Sequence, residues 1–208
     1  MNLFDDTELF ASGELKITNF NLPDADLVLY EHFFSKEASD YYYNSLLNTT
    51  PWHELDWEIY GNTHKVPRMV KWYEDPENFG ALPETPELTP DLKAIRKKIE
   101  DEVAISFNSV LLNLYRNGND GVGWHSDRTE NFGQNAIIGS VSFGETRPFR
   151  LRHKIEKDLK LEIPLYHGSF LLMAGTMQTF WEHQIPKTAK DILPRINLTF
   201  RRVRRNTV

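Results

Sequence analysis

The sequence predicts a mainly β chain of the α+β class, with a double-stranded β-helix (jelly roll) as its core. Three observations carry this expectation. After residue 105, seven short stretches rich in β-branched and aromatic residues follow one another with turn signals between them and no helical pattern. Two helical patterns precede them and would flank the roll. The chain has 208 residues, 40% hydrophobic and 26% charged, and no repeat or long linker divides it. That is enough for one domain with a sizeable core. A single domain over 1–208 is expected, with an N-terminal extension over 1–104 and the jelly roll over 105–203.

Taken in order, residues 1–20 read as an extended arm. SKEASDYYYNSLLNTT (35–50) reads as a helix, with Ser35 as N-cap and a stop before Pro51. WEIY (57–60) and THKVPR (63–68) form a hairpin around Gly61-Asn62, which places Tyr60 beside the tip. TPDLKAIRKKIEDEV (89–103) is the second helix. Thr89 caps it, Pro90 suits the first turn, and Leu92, Ile95, Ile99 and Val103 make one apolar stripe. The strands are FNSVLLNLY (107–115), AIIGSVSFG (136–144), RPFRLRH (147–153), LEIPLYH (161–167), SFLLMA (169–174), FWEHQI (180–185) and RINLTFR (195–201).

Composition excludes several function classes. Without cysteine there is neither a disulfide nor a thiolate metal site. The acidic start MNLFDDTELF is not a signal peptide, and no apolar run approaches the roughly 20 residues of a membrane span. A cytoplasmic or nuclear protein is expected rather than a secreted one, without membrane contact and monomeric. The net charge of −6 argues against a generic polyanion binder. Charge is uneven, however: residues 1–60 hold 12 acidic and 2 basic side chains, the remainder 18 and 22. The basic residues gather in RPFRLRHKIEKDLK (147–160) and in RRVRR (201–205), so a local basic face remains open to a polyanion.

The chemistry starts at GVGWHSDR (121–128). His125 and Asp127 are two residues apart, and on an extended segment they point the same way. Alone, His-x-Asp recurs by chance, and seven histidines compete to be its partner. His183, in a predicted strand, follows Asp127 by 56 residues, and Arg195 and Arg201 come later still. In RINLTFR the polar Arg195, Asn197, Thr199 and Arg201 alternate with Ile196, Leu198 and Phe200, so period two puts all four on one face. Inside a roll, two guanidinium groups on that face call for an anion, and a dicarboxylic acid would pair with them. Two histidines and a carboxylate on one face of an iron leave positions for a 2-oxo acid and dioxygen.

At FNSVLLNLYRNG, GVGWHSD, SVSFGETRPFRLRHK, LYHGSFLLM, WEHQIPK and PRINLTFR, over about residues 50 to 203, the sequence resembles the AlkB family of Fe(II)- and 2-oxoglutarate-dependent dioxygenases. IYGNTHKVPR is most similar to the duplex-DNA repair branch, where it matches a base-flipping hairpin and nucleotide-recognition lid. The resemblance implies Fe(II), 2-oxoglutarate and dioxygen as reactants, with His125, Asp127 and His183 as iron ligands. It places Arg195 on the distal carboxylate of 2-oxoglutarate and Arg201 near its other end, with Asn113, Tyr115, Asn197 and Thr199 as further contacts. It assigns Tyr60, next to Gly61, as the aromatic finger. Arg68 and the 147–154 segment, with Arg152, His153 and Lys154, match DNA-contacting loops, and Trp72, Tyr73 or Phe79 supplies the face for a flipped base. Arg128 stands where several duplex-repair relatives carry an acid, so base preference can differ. The implied activity is oxidative demethylation of bases such as 1-methyladenine and 3-methylcytosine in duplex or single-stranded DNA. The alternatives are demethylation or hydroxylation of RNA or of another N-methyl substrate by the same iron chemistry, or a non-catalytic nucleic-acid binding module.

Overall fold

A computed structural model describes residues 13–59, 62–75, 85–127 and 135–203. The strands are β1 (Lys16–Leu22), β2 (Ala25–Glu31), β3 (His53–Ile59), β4 (Asn62–Glu74), β5 (Ser109–Tyr115), β6 (Val122–His125), β7 (Ile138–Gly144), β8 (Arg147–His153), β9 (Lys160–Leu165), β10 (Ser169–Ala174), β11 (Trp181–Ile185) and β12 (Arg195–Arg201). The helices are α1 (Lys36–Thr49), α2 (Pro90–Val103) and the single turn α3 (Met177–Phe180). Eight strands form one sheet in the order β1-β2-β10-β7-β12-β5-β4-β3, and four form another in the order β6-β11-β8-β9. Neighbouring strands are antiparallel in both, as a jelly roll requires.

The two long helices form where the sequence places them, and for the stated reasons. Ser35 and Thr89 occupy the N-cap positions and accept hydrogen bonds from the amides of Ala38 and Leu92. The α2 stripe is inaccessible to solvent at Leu92, Ile95 and Ile99. It packs with Phe107 from the connection before β5 and with Val110, Leu112, Phe143, Phe170, Leu198 and Phe200 from the large sheet. Each such side chain contributes roughly 1.5–3 kcal/mol by leaving water. A second apolar cluster, including Phe149, Leu151, Ile163, Leu171, Met173 and Trp181, fills the space between the sheets.

Three sequence expectations change. Of the extended arm expected over 1–20, residues 16–20 belong to a paired strand: β1 and β2 pair through the turn at Pro23 and Asp24, where Asp24 takes φ +57°, and β2 pairs onward with β10. The β3–β4 register pairs Ile59 with Asn62, so the two-residue connection is 60–61, one residue earlier than expected. That hairpin is also longer, and β4 pairs with β5 through Trp72↔Leu111 and Val70↔Asn113. Strands from before residue 104 thus extend both edges of the large sheet, and the position marks no break in its hydrogen bonding.

Candidate active site

The two sheets bring the polar positions together. On β12, Arg195, Asn197 and Thr199 pair with Tyr115, Asn113 and Leu111 of β5, so like-facing side chains form adjacent rows. Opposite them, β11 and β6 pair at His183↔His125. A cavity of about 150 Å³ lies between these faces. Its polar lining is Arg68, Asn113, Tyr115, His125, Asp127, Ser140, His183, Arg195, Asn197, Thr199 and Arg201. Leu111, Val122, Phe149, Leu165, Met173 and Ile185 complete it with apolar surface.

One wall has the donor set of a metal centre. Ligand atoms of His125, Asp127 and His183 all lie within 4.8 Å of one another. The His125 Nδ1 is 2.8 Å from the Gly123 carbonyl oxygen, which fixes that nitrogen as the protonated one and leaves Nε2 for a metal. The Asp127 amide donates to Gln178 Oε1 at 2.9 Å, and Ser126 Oγ donates to the Trp181 carbonyl at 2.8 Å, so the turn after β6 is held from α3 and β11. Burial would raise the Asp127 pKa, but Arg201, His183 and His125 outweigh it and hold the carboxyl below its usual range. Arg201 donates to Asp127 Oδ1 at 3.1 Å. Burial pushes His183 down to about 4, so its ring is neutral at physiological pH. A carboxylate at Asp127 and a neutral imidazole at His183 are states that a divalent iron needs in its ligands, and the three side chains fit the metal.

The opposite wall fits a carboxylate. Arg195 is 1% exposed. Its Nη2 donates to Ser142 Oγ at 2.8 Å, while Nε and Nη1 have no hydrogen-bond partner among the described residues. Burial brings its pKa down to about 10, still well above neutrality. Buried donors without acceptors cost free energy until an anion supplies them. Between the walls the side chains lock one another. Arg68 Nε donates to Asn113 Oδ1 at 2.8 Å, Asn197 Nδ2 donates to Ser140 Oγ at 2.8 Å, and Thr199 Oγ1 donates to Asn197 Oδ1 at 3.0 Å.

Arg68 is therefore a cavity-wall residue. Trp72 lies near the site, with the Arg201 guanidinium 5.8 Å from its ring centroid. Tyr73 does not: it points the other way from β4, is 5% exposed, and belongs to the α2-side core, so it offers no face to a base. His153 is likewise corrected. It shares inward parity with Phe149 and Leu151 on β8, is 2% exposed, and stacks on Phe180, which removes it from any DNA-contacting surface. Arg152 lies on the outer face of the small sheet, paired with Glu182 at 2.7 Å and lying over Trp124. Lys154 donates to the Gln178 carbonyl oxygen. Tyr60, Gly61, Phe79 and Arg128 lie outside the described residues.

Ser140, Ser142 and Gln178 were not found from sequence. The two serines had a signal: in β7 they alternate with Val141 and Phe143, small polar against large apolar. Gln178 had none, because it acts from a one-turn helix 51 residues from the amide it holds.

The sequence profile of the 2OG-Fe(II) oxygenase superfamily matches residues 26–201. The chain is 36% identical over 186 residues to human "Alpha-ketoglutarate-dependent dioxygenase alkB homolog 3", covering 84% of this chain and 65% of that protein. It is 35% identical over 157 residues to human "DNA oxidative demethylase ALKBH2", covering 70% of this chain and 60% of that one. These matches span somewhat under two thirds of the relatives' own lengths. The solved structure of OsALKBH1 superposes with a TM-score of 0.64 at 18% identity, over 88% of this chain and all of that one, which confirms the fold. With the metal donor set, the anion-seeking arginine and the profile in agreement, the chain belongs to the 2OG-Fe(II) oxygenase superfamily, in its AlkB group.

Proposed function

We propose that this protein is an Fe(II)- and 2-oxoglutarate-dependent dioxygenase that removes N-methyl groups from bases in DNA. The observation that carries the reading is one cavity with both halves of the reaction in its walls: His125, Asp127 and His183 on one side, and Arg195 with two unpartnered donors on the other. The choice of DNA is supported by the name of the relative ALKBH2, a DNA oxidative demethylase. A nuclear or cytoplasmic location accords with that substrate, and no described helix is long and apolar enough to cross a membrane.

His125, Asp127 and His183 would hold the iron, and the bound metal supplies the oxidising chemistry with dioxygen and the 2-oxo acid. The chain's own residues do the rest. Arg195 would bind the distal carboxylate of 2-oxoglutarate, with Ser142 holding its Nη2 in place. Arg201 keeps Asp127 ionised and aimed. The locked set Arg68–Asn113 and Thr199–Asn197–Ser140 fixes the polar lining before reactants arrive. Val122, Phe149, Leu165, Met173 and Ile185 keep water scarce around it.

In the overall reaction one dioxygen and one 2-oxoglutarate become succinate, carbon dioxide and one hydroxyl group on the N-methyl carbon. The resulting hemiaminal loses formaldehyde and leaves the N–H base. A methyl group on a pairing nitrogen is inside the stack, so the base has to leave a duplex first, at a cost of a few kcal/mol. Substrates of this kind are 1-methyladenine and 3-methylcytosine. His125→Ala, Asp127→Ala and His183→Ala should each abolish succinate formation while the circular-dichroism spectrum stays native. Undiminished turnover in any one removes that residue from the ligand set.

A further inference from the structure

Among the described residues Arg147 is the other fully buried guanidinium besides Arg195, and it has no part in the proposed reaction so far. It opens β8, faces inward with Phe149 and Leu151, and is 2% exposed. Its Nη2 donates to two backbone carbonyls, Asp120 at 3.0 Å and Pro186 at 2.6 Å. The first lies in the connection entering β6, which carries His125. The second lies in the connection leaving β11, which carries His183. Its guanidinium carbon is 5.8 Å from the Tyr115 ring centroid, and that of Arg195 is 5.2 Å from the same ring. Among the described residues the Nε of Arg147 has no hydrogen-bond partner, and neither do two nitrogens of Arg195.

Two buried cations thus share one aromatic ring, and among the described residues neither guanidinium hydrogen-bonds to a carboxylate. The ring's negative faces offset part of the cost of burying them, but like charges in a low-dielectric interior still repel. Burial lowers the pKa of both, and Arg147 itself contributes to the lowering at Arg195. A carboxylate seated on Arg195 relieves both charges at once. Arg147 does not line the cavity, so it reaches the ligand only through Tyr115 and Arg195.

We propose that Arg147 is a positioning residue for the co-substrate: it holds Tyr115 and the two connections in place and adds a second positive charge behind the distal carboxylate. This inference rests on the 2-oxoglutarate reading of the cavity. Arg147→Gln removes the charge and keeps a donor, whereas Arg147→Lys keeps the charge and loses the flat double bridge. The measurements are the Kd for 2-oxoglutarate in the anaerobic iron-loaded enzyme, KM and kcat for its turnover, and the urea midpoint.

Arg147→Gln is expected to raise Kd and KM about tenfold, the low end of what outer partners contribute at ligand sites, with kcat nearly unchanged. Arg147→Lys should fall between, at about threefold, because an ammonium cannot reproduce the planar fork. If Gln does not fold, Lys decides on its own. A Kd equal to wild type in every folded variant, whatever the urea midpoint, overturns the proposal and leaves Arg147 as a structural staple. Arg195→Met is the control: if it too leaves Kd unchanged, the co-substrate reading itself fails, and if it alone weakens binding, only the role of Arg147 falls.

Discussion

Arg195 and Arg201 sit six residues apart on the same face of β12 and do different work. Among the described residues Arg195 is met by Ser142 and Tyr115, with no carboxylate hydrogen-bonded to it, and so offers its charge to an anion. Arg201 is engaged by Asp127 and lies against Trp72. Arg195→Met is therefore expected to raise the KM for 2-oxoglutarate by about 100-fold, the scale of losing one partner of a buried charge pair, with a smaller change in kcat. Arg201→Met should leave that KM closer to wild type and weaken Co(II) affinity by about 10–100-fold, because Asp127 loses its orienting partner. Competition titrations for metal and steady-state kinetics separate the two. At this scale the sequence was legible where parity was counted: alternation in RINLTFR placed four side chains in the cavity. The expectations for Tyr73, as an aromatic stacking face, and for His153, as part of a basic DNA-contacting segment, follow residue type and leave out strand parity. Each lies on the same face as core residues, Tyr73 with Met69 and His153 with Leu151.

Among the elements, the two long helices and seven of the eight post-105 strands follow from local rules, while β6, α3 and the β1–β2 hairpin do not. The β1–β2 hairpin has no strong pattern of its own and gains its place by pairing with β10, about 140 residues on. Two element-level joints can be tested. Gly144 ends β7 with φ +91°, and a Cβ there would lie 2.4 Å from the Pro194 carbonyl oxygen. Gly144→Ala should destabilise the fold by about 1–3 kcal/mol in urea denaturation, since both backbone strain and overlap oppose it. His167 joins α1 to the roll: its Nδ1 accepts from the Gly144 amide at 2.8 Å, and its Nε2 is 3.1 Å from Asp40 Oδ1. Burial holds its pKa below the usual histidine value, with Asp40 opposing. A group whose folded pKa is depressed binds more protons when unfolded, so its contribution is present above the unfolded pKa and is lost as pH falls through the folded one. The urea midpoint should accordingly fall on acidification below about pH 6.5, and His167→Gln should flatten that fall. An unchanged slope in the variant would remove His167 from the account. For the hairpin β3–β4, Tyr60→Ala is expected to slow turnover on duplex DNA more than on single strands, because a finger is needed only where a gap must be filled. Equal losses on both would sink the finger role.

For the whole molecule, the sheets matter more than the charge. The net of −6 describes an average, while the proposed reaction depends on a cavity whose two walls come from different sheets. The jelly roll was legible because seven strands in succession admit few other architectures. The edges of the large sheet were not, because they are built from residues before 104 that the local pattern leaves ambiguous. The central claim is that both walls serve one reaction on nucleic acid. The most direct measurement is of formaldehyde and succinate together, with Fe(II), 2-oxoglutarate and oligonucleotides bearing one 1-methyladenine, as single-stranded DNA, duplex DNA and matched RNA. The expected result is one formaldehyde per succinate on DNA, faster than on RNA, and lost in His183→Ala. Succinate released without formaldehyde on DNA, or formaldehyde formed as fast by His183→Ala as by the wild type, would contradict it.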